Sequence, residues 1–147
     1  MHGPYNGGVD GLIDWLRARH KGVSFAMHSV DNMLIEFSGP DAALVETYCL
    51  VAQRYTDEGM ASLAQPPGGA ATKRGAGMDM RAWARYVDRF ERRGGEWRIA
   101  HRTVVYDSMV MHEVPEDAST LDPGCILGRR DLRDFVYQER AALGIGS

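Results

Sequence analysis

Between Arg81 and Tyr106 the chain reads RAWARYVDRFERRGGEWRIAHRTVVY, two runs rich in Trp, Tyr, Val and Phe on either side of Gly94-Gly95. A Gly-Gly pair supplies the positive φ that a tight hairpin turn needs, so the stretch predicts two long antiparallel strands. The first arm alone also fits an amphipathic helix, because Trp83, Val87 and Phe90 fall at i, i+4 and i+7. The second arm decides for strand: Trp97, Ile99, Thr103, Val104 and Val105 are β-formers with no helical stripe. The hairpin is therefore predicted to be the spine of a sheet.

The remaining elements follow from period and punctuation. Gly3 to Gly8 is turn chemistry, and Asp10 is a possible N-cap for a short helix with Leu12, Ile13, Trp15 and Leu16 on its apolar side, ended near His20-Lys21-Gly22. Val23 to Phe37 reads as a strand with a bulge or bend at Ser29 to Asn32, where polar residues interrupt the apolar ones. Ser38 to Asp41 is a turn, and Ala42 to Tyr55 is a second long strand in which Glu46 and Gln53 break the apolar run. Asp57 to Gly77, with Pro-Pro-Gly-Gly and scattered alanines, predicts a long flexible insertion between paired strands. The last strand is expected to run to about Met111, and residues 113–147 form a C-terminal tail with a short helix within Asp131 to Leu143. The architecture expected is α+β in one domain over residues 1–147: one helix, four long antiparallel strands, then the tail.

Composition removes several function classes. At 147 residues, 44 % apolar and a net charge of −3, the chain resembles an ordinary soluble domain. Arg81, Arg85, Arg89, Arg92, Arg93, Arg98 and Arg102 are dense, but Asp79, Asp88, Glu91 and Glu96 are interleaved with them. That pattern predicts a solvated, salt-paired strand face, with no nucleic-acid partner. Cys49 and Cys125 stand alone, no zinc or nucleotide motif occurs, and no apolar run reaches transmembrane length. A cytoplasmic protein with no metal, no cofactor and no membrane partner is expected.

Among groups that could do chemistry, His28 lies in a strand of otherwise apolar or small residues, where an imidazole can take and give a proton near neutral pH or serve as a hydrogen-bonded structural residue. His101 and Arg102 are adjacent, so alternation sends them to opposite faces. Arg102 reads either as a surface ion pair or as a fixed positive charge for an anionic leaving group or enolate. Ala82, Ala84, Tyr86, Asp88 and Phe90 share one face of the first arm, and Arg102, Val104 and Tyr106 share one face of the second. These facts fit a ligand cavity and a filled core equally.

The order H-S-V-D-N at His28 to Asn32, the LIEF that follows, A-x-x-x-E-x-Y-x-L in the next strand and RYVDRFERRGGEWRIAHR resemble the SnoaL-like family of the nuclear transport factor 2-like superfamily. The resemblance implies a cone-like, strongly curved, mainly antiparallel sheet packed on helix around an apolar pocket, and assembly as a homo-oligomer, dimer or trimer. It also implies a cofactor-independent acid–base lyase or isomerase, dehydratase-like, acting on a hydrophobic small molecule. His28 would be the base and Arg102 the electrostatic stabiliser, with Ala26, Tyr86 and Tyr106 lining the pocket. Family members carry helices and a first strand ahead of the G-P-Y-N-G turn, with an aspartate there that holds the histidine. This chain starts just before that turn, so the resemblance implies an N-terminally short domain without the family's aspartate, for which Asp10 and Asp14 are no substitutes. The alternative from another class is a non-catalytic ligand-binding module, or a structural subunit similar to the small subunit of ring-hydroxylating dioxygenases.

Overall fold

The computed structural model of the chain describes residues 5–61, 76–115, 121–122 and 124–146. The chain divides into two compact units, residues 1–116 and residues 117–147. The first holds α1 (Val9–Arg19), a 3₁₀ turn (His20–Gly22), β1 (Val23–Phe37), β2 (Ala42–Tyr55), α2 (Asp57–Ala61), β3 (Ala76–Arg93) and β4 (Glu96–Pro115). The second holds α3 (Phe135–Ala142), whose N-cap Asp134 accepts a hydrogen bond from the Val136 backbone N–H.

All four strands form one antiparallel sheet in the order β1-β2-β3-β4. The hairpin between β3 and β4 turns at Gly94 and Gly95, at φ 59° and 86°, the left-handed region that glycine enters without a Cβ penalty. Pairing of β2 with β3 runs unbroken from Ala42↔Glu91 to Tyr55↔Met78. Register shifts fall in the two outer pairs: between Val23 and Phe25 and between Val30 and Met33 of β1, the latter where the sequence predicts a bulge, and at Trp83/Ala84 and Arg89/Phe90 opposite β4.

Alternation along β2 then separates two faces. Ala43, Val45, Thr47, Cys49, Val51, Gln53 and Tyr55 are buried, and the residues between them are not. On this inner face Val23, Cys49, Val51, Tyr55, Met78, Met80 and Ala82 form the core with Met60 of α2. Gly22 and Gly59 meet backbone to backbone, a contact that any Cβ would block, and the Thr56 N–H donates to the Gly22 carbonyl at 2.9 Å. The end of α1 reaches the same face through Arg19, whose Nη2 donates to the Tyr55 hydroxyl at 3.1 Å, and that hydroxyl donates to Gln53 Oε1 at 2.7 Å.

Several boundaries differ from the sequence expectations. Helix α1 begins one residue before Asp10, with Gly8 as its N-cap and no side-chain cap; Asp10 instead places a carboxylate in the first turn, where it complements the helix dipole. The predicted insertion is regular at both ends, since Asp57 to Ala61 is α2 and Ala76-Gly77 opens β3; residues 62–75 of it lie outside the described residues. Strand β4 continues past Met111 to Pro115, because its pairing with β3 persists to Ala76↔Pro115, so the tail begins later than expected.

Gly95→Val should lower unfolding free energy by about 1–2 kcal/mol, because a β-branched side chain is strained at φ 86°. Urea unfolding checks this: the midpoint should fall at unchanged slope, and an unchanged midpoint would contradict the turn geometry.

Candidate functional site

The register carries the predicted site residues to one face. Ala26 pairs with Gln53 and His28 with Val51 on β1–β2, whereas Tyr86 pairs with Val104, Asp88 with Arg102 and Ala84 with Tyr106 on β3–β4. Paired residues share a face, so Ala26, His28, Tyr86, Tyr106 and Arg102 all stand on the inner side with Cys49 and Val51. His101 goes to the outer side, as alternation requires, and its Nε2 lies 3.3 Å from Thr103 Oγ1.

Arg102 is anchored from beneath. Its Nε and Nη2 donate to the two carboxylate oxygens of Asp88 at 2.8 and 2.6 Å, a bidentate pair in which Asp88 is only 2 % exposed. The guanidinium also lies 4.2 Å from the centroid of the Tyr86 ring, a cation–π contact that holds its plane. The Asp88 hydrogen bonds raise the Arg102 pKa further, so its charge is permanent. Asp88 is thus no part of a solvated arginine stripe, because it occupies an inner-face position at the centre of β3 and has to be neutralised there.

Tyr86 extends from this anchor toward Cys49 of β2. Its hydroxyl oxygen accepts from the Cys49 thiol at 3.5 Å. Desolvation, with a smaller part from Cys49, raises the Tyr86 pKa, so the phenol stays protonated and its own O–H remains a donor. Tyr106 is raised in the same direction by desolvation, against the pull of Arg19. Ala26, Tyr86 and Met111 pack on the edge of the buried core.

His28 stands apart from the anchor. It is three strands away from Arg102 and, through the row Val51–Ala82–Met109, six positions along β3 from Asp88. Cys49 is its diagonal neighbour across β1–β2, which puts the two residues at about 7–8 Å, with their Cβ atoms somewhat closer. By register Cys49 on β2 and Tyr86 on β3 lie between the strands that carry the imidazole and the guanidinium. Desolvation lowers the His28 pKa below 6.5, so the ring is neutral at pH 7. No hydrogen bond or ion pair holds the imidazole among the described residues.

Sequence reading missed Cys49 and the role of Asp88. The signal for both was alternation: Cys49 sits between Thr47 and Val51 on the buried side of β2, and Asp88 lies two residues beyond Tyr86. Among the described residues no group of three or more His, Cys, Asp and Glu side chains could hold a metal ion. The outer face carries its own ion pairs, Arg85 to Glu46 and Asp107 at 2.5 and 2.7 Å and Arg54 to Asp79 at 2.5 Å, as the interleaved charges predict.

Two measurements check this geometry. Asp88→Ala should cost about 2 kcal/mol of unfolding free energy, less than a fully buried pair because Arg102 keeps access to water; an unchanged urea midpoint would contradict the anchor. The His28 ring should titrate below pH 6.5 by NMR. Its folded pKa is depressed, so its stabilising contribution is present above pH 6.5 and is lost as pH falls through the folded value. A midpoint at or above 6.5 would contradict the partly desolvated environment.

Comparison with known proteins agrees with this fold. The model of the SnoaL-like domain family matches residues 2–103. A solved hexachlorocyclohexane dehydrochlorinase (LinA) Type2 is similar at 15 % identity and TM-score 0.56, over 80 % of this chain and 66 % of that one. A putative scytalone dehydratase from Novosphingobium aromaticivorans is similar at 18 % identity and TM-score 0.52, over 78 % of this chain and 67 % of that one. The Kfla4162 protein of Kribbella flavida is similar at 13 % identity and TM-score 0.50, over 69 % and 59 %. The chain thus spans about three-fifths to two-thirds of the length of these structures, and they establish the fold alone. No curated protein matches the sequence. With the family model covering more than two-thirds of its length, this α+β chain belongs to the SnoaL-like domain family.

Proposed function

We propose that the chain is a single SnoaL-like domain acting in the cytoplasm as a cofactor-independent acid–base lyase or isomerase on a hydrophobic small molecule. The observation that carries this reading is the common face shared by a neutral imidazole at His28 and the Asp88–Arg102–Tyr86 anchor. A neutral histidine is a competent base, and apolar surroundings strengthen any charge that develops beside it.

In the reaction, His28 takes a proton from a carbon of the bound ligand, and the electron pair left behind expels a leaving group on the neighbouring carbon. The Tyr86 hydroxyl donates a hydrogen bond to that departing group. Arg102 acts through Tyr86: a permanent positive charge 4.2 Å from the ring favours negative charge building at the phenol oxygen as it hands on its hydrogen bond. Ala26 and Tyr106 bound the apolar part of the site, where the small Ala26 side chain leaves room for a ligand.

A second reading, a non-catalytic ligand-binding module, is favoured by one observation. No carboxylate orients His28 among the described residues, and an unheld imidazole is a weaker and less directed base.

Incubation with hexachlorocyclohexane and with scytalone, compounds named by the two similar enzymes, separates the readings. The lyase reading predicts loss of chloride or water from one of them, with kcat reduced about 100-fold or more in His28→Ala. Full activity in that variant would contradict the assignment, and saturable binding without turnover is the result the module reading predicts.

A further inference from the structure

Helix α1 ends in two arginines with different surroundings. Arg17 is solvated and pairs with Asp14 at 3.4 Å, and it already supplies the basic group that the C-terminal end of a helix favours. Arg19 turns onto the inner face of the sheet instead. Its guanidinium lies 5.3 Å from the centroid of the Trp15 ring and 5.7 Å from that of Tyr55, and Nη2 donates to the Tyr55 hydroxyl at 3.1 Å. The two rings hold the charge in place without neutralising it. Among the described residues no carboxylate pairs with Arg19, whereas Arg54, Arg85 and Arg102 on the sheet each hold at least one. The planar fork therefore keeps N–H donors for a further acceptor.

The rows of the sheet locate this charge. The Tyr55 hydroxyl that Arg19 meets passes its hydrogen bond on to Gln53, whose row is Ala26–Gln53–Met80–Met111. The next inward-facing row, about 7 Å along the strands, is His28–Val51–Ala82–Met109, and the one after it is Val30–Cys49–Ala84–Tyr106. His28 thus stands in the row between the one that Arg19 reaches and the one that holds Tyr106. The half-exposed Tyr106 phenol is raised in pKa by desolvation and drawn down by Arg19, and Tyr86 in turn feels Tyr106. Tyr106 accordingly lies within the field of Arg19 and beside the Tyr86–Arg102 anchor.

Ala26, Met80, Met109 and Met111 surround these polar groups with small or apolar side chains, which suit an apolar body. A single guanidinium suits a monoanion, and its fork matches the two oxygens of a carboxylate. A phosphate dianion would be left half neutralised, because Arg102 is already paired with Asp88. We propose that Arg19 binds the carboxylate of a hydrophobic acid, whose apolar body lies over Ala26 and Tyr106 with His28 beside it. The assignment rests on the reading of the inner face as a ligand site and narrows that ligand to an acid. It also fixes which end of the molecule points toward α1, so that one carbon is held beside the imidazole.

Titration of the full chain at pH 7 with 2-naphthoate and with neutral 2-naphthol, followed by ¹H–¹⁵N correlation spectra, tests the carboxylate site. Naphthoate should bind about tenfold or more tightly than naphthol and should shift the Arg19 Nε–H, which naphthol leaves in place. Arg19→Gln should remove that advantage while its affinity for naphthol stays within about twofold of wild type, and Arg17→Gln should bind both ligands as the wild type does. Equal affinity for the two ligands in the wild type, an unmoved Arg19 Nε–H at naphthoate saturation, or an equal loss in Arg17→Gln would overturn the carboxylate site and leave the apolar ligand site standing. Failure of both ligands to shift the amides of His28, Cys49 and Tyr86 would overturn the ligand site and the carboxylate assignment together.

Discussion

The unbroken pairing of β2 with β3 is the constraint on which the rest of the structure depends. Fourteen successive positions pair without a shift, from Ala42↔Glu91 to Tyr55↔Met78, and side chains alternate with a period of two. A slip of β2 by one residue against β3 would turn Cys49 and Val51 outward and bring Tyr48 and Leu50 onto the face of Ala82 and Asp88. Bulges are confined to the pairs formed with β1 and β4, where they bend the sheet edges without disturbing the assignment of faces at its centre.

The two faces treat charge differently for that reason. Outside, Arg85, Arg54, Arg93 and Arg98 each meet a carboxylate in contact with water, an arrangement that adds solubility and little stability. Inside, Asp88 is enclosed, and an isolated carboxylate there would be costly; the bidentate Arg102 is what makes the position tolerable. The same contact fixes the guanidinium over Tyr86. One electrostatic requirement of folding thereby positions a permanent cation beside a protonated phenol.

Much of this was legible in the sequence because it is local. The Gly94-Gly95 turn, the strand limits at Val23, Phe37, Ala42 and Tyr55, and the bulge after Val30 all follow from residue type and period. The opposite faces of His101 and Arg102 follow from alternation alone. What could not be read was burial of a charge at Asp88, since interleaved Asp and Arg look the same whether the pair is solvated or enclosed. Cys49 was missed because its importance lies in a contact with Tyr86, thirty-seven residues away, which only the β2–β3 register creates. The separation of His28 from Arg102 is also a matter of register: resemblance names both residues, but the rows between them place Cys49 and Tyr86 in the gap.

The central claim is that the face bearing His28, Cys49, Tyr86 and Arg102 receives an apolar ligand. An ¹H–¹⁵N correlation titration of the full chain with 2-naphthol, a neutral bicyclic phenol, tests it most directly. The account predicts saturable shifts centred on the backbone amides of His28, Cys49 and Tyr86 and on the Arg102 Nε–H. Shifts confined to Tyr48, Leu50 and Trp83 on the opposite face, or no shifts on the inner face at saturation, would contradict it.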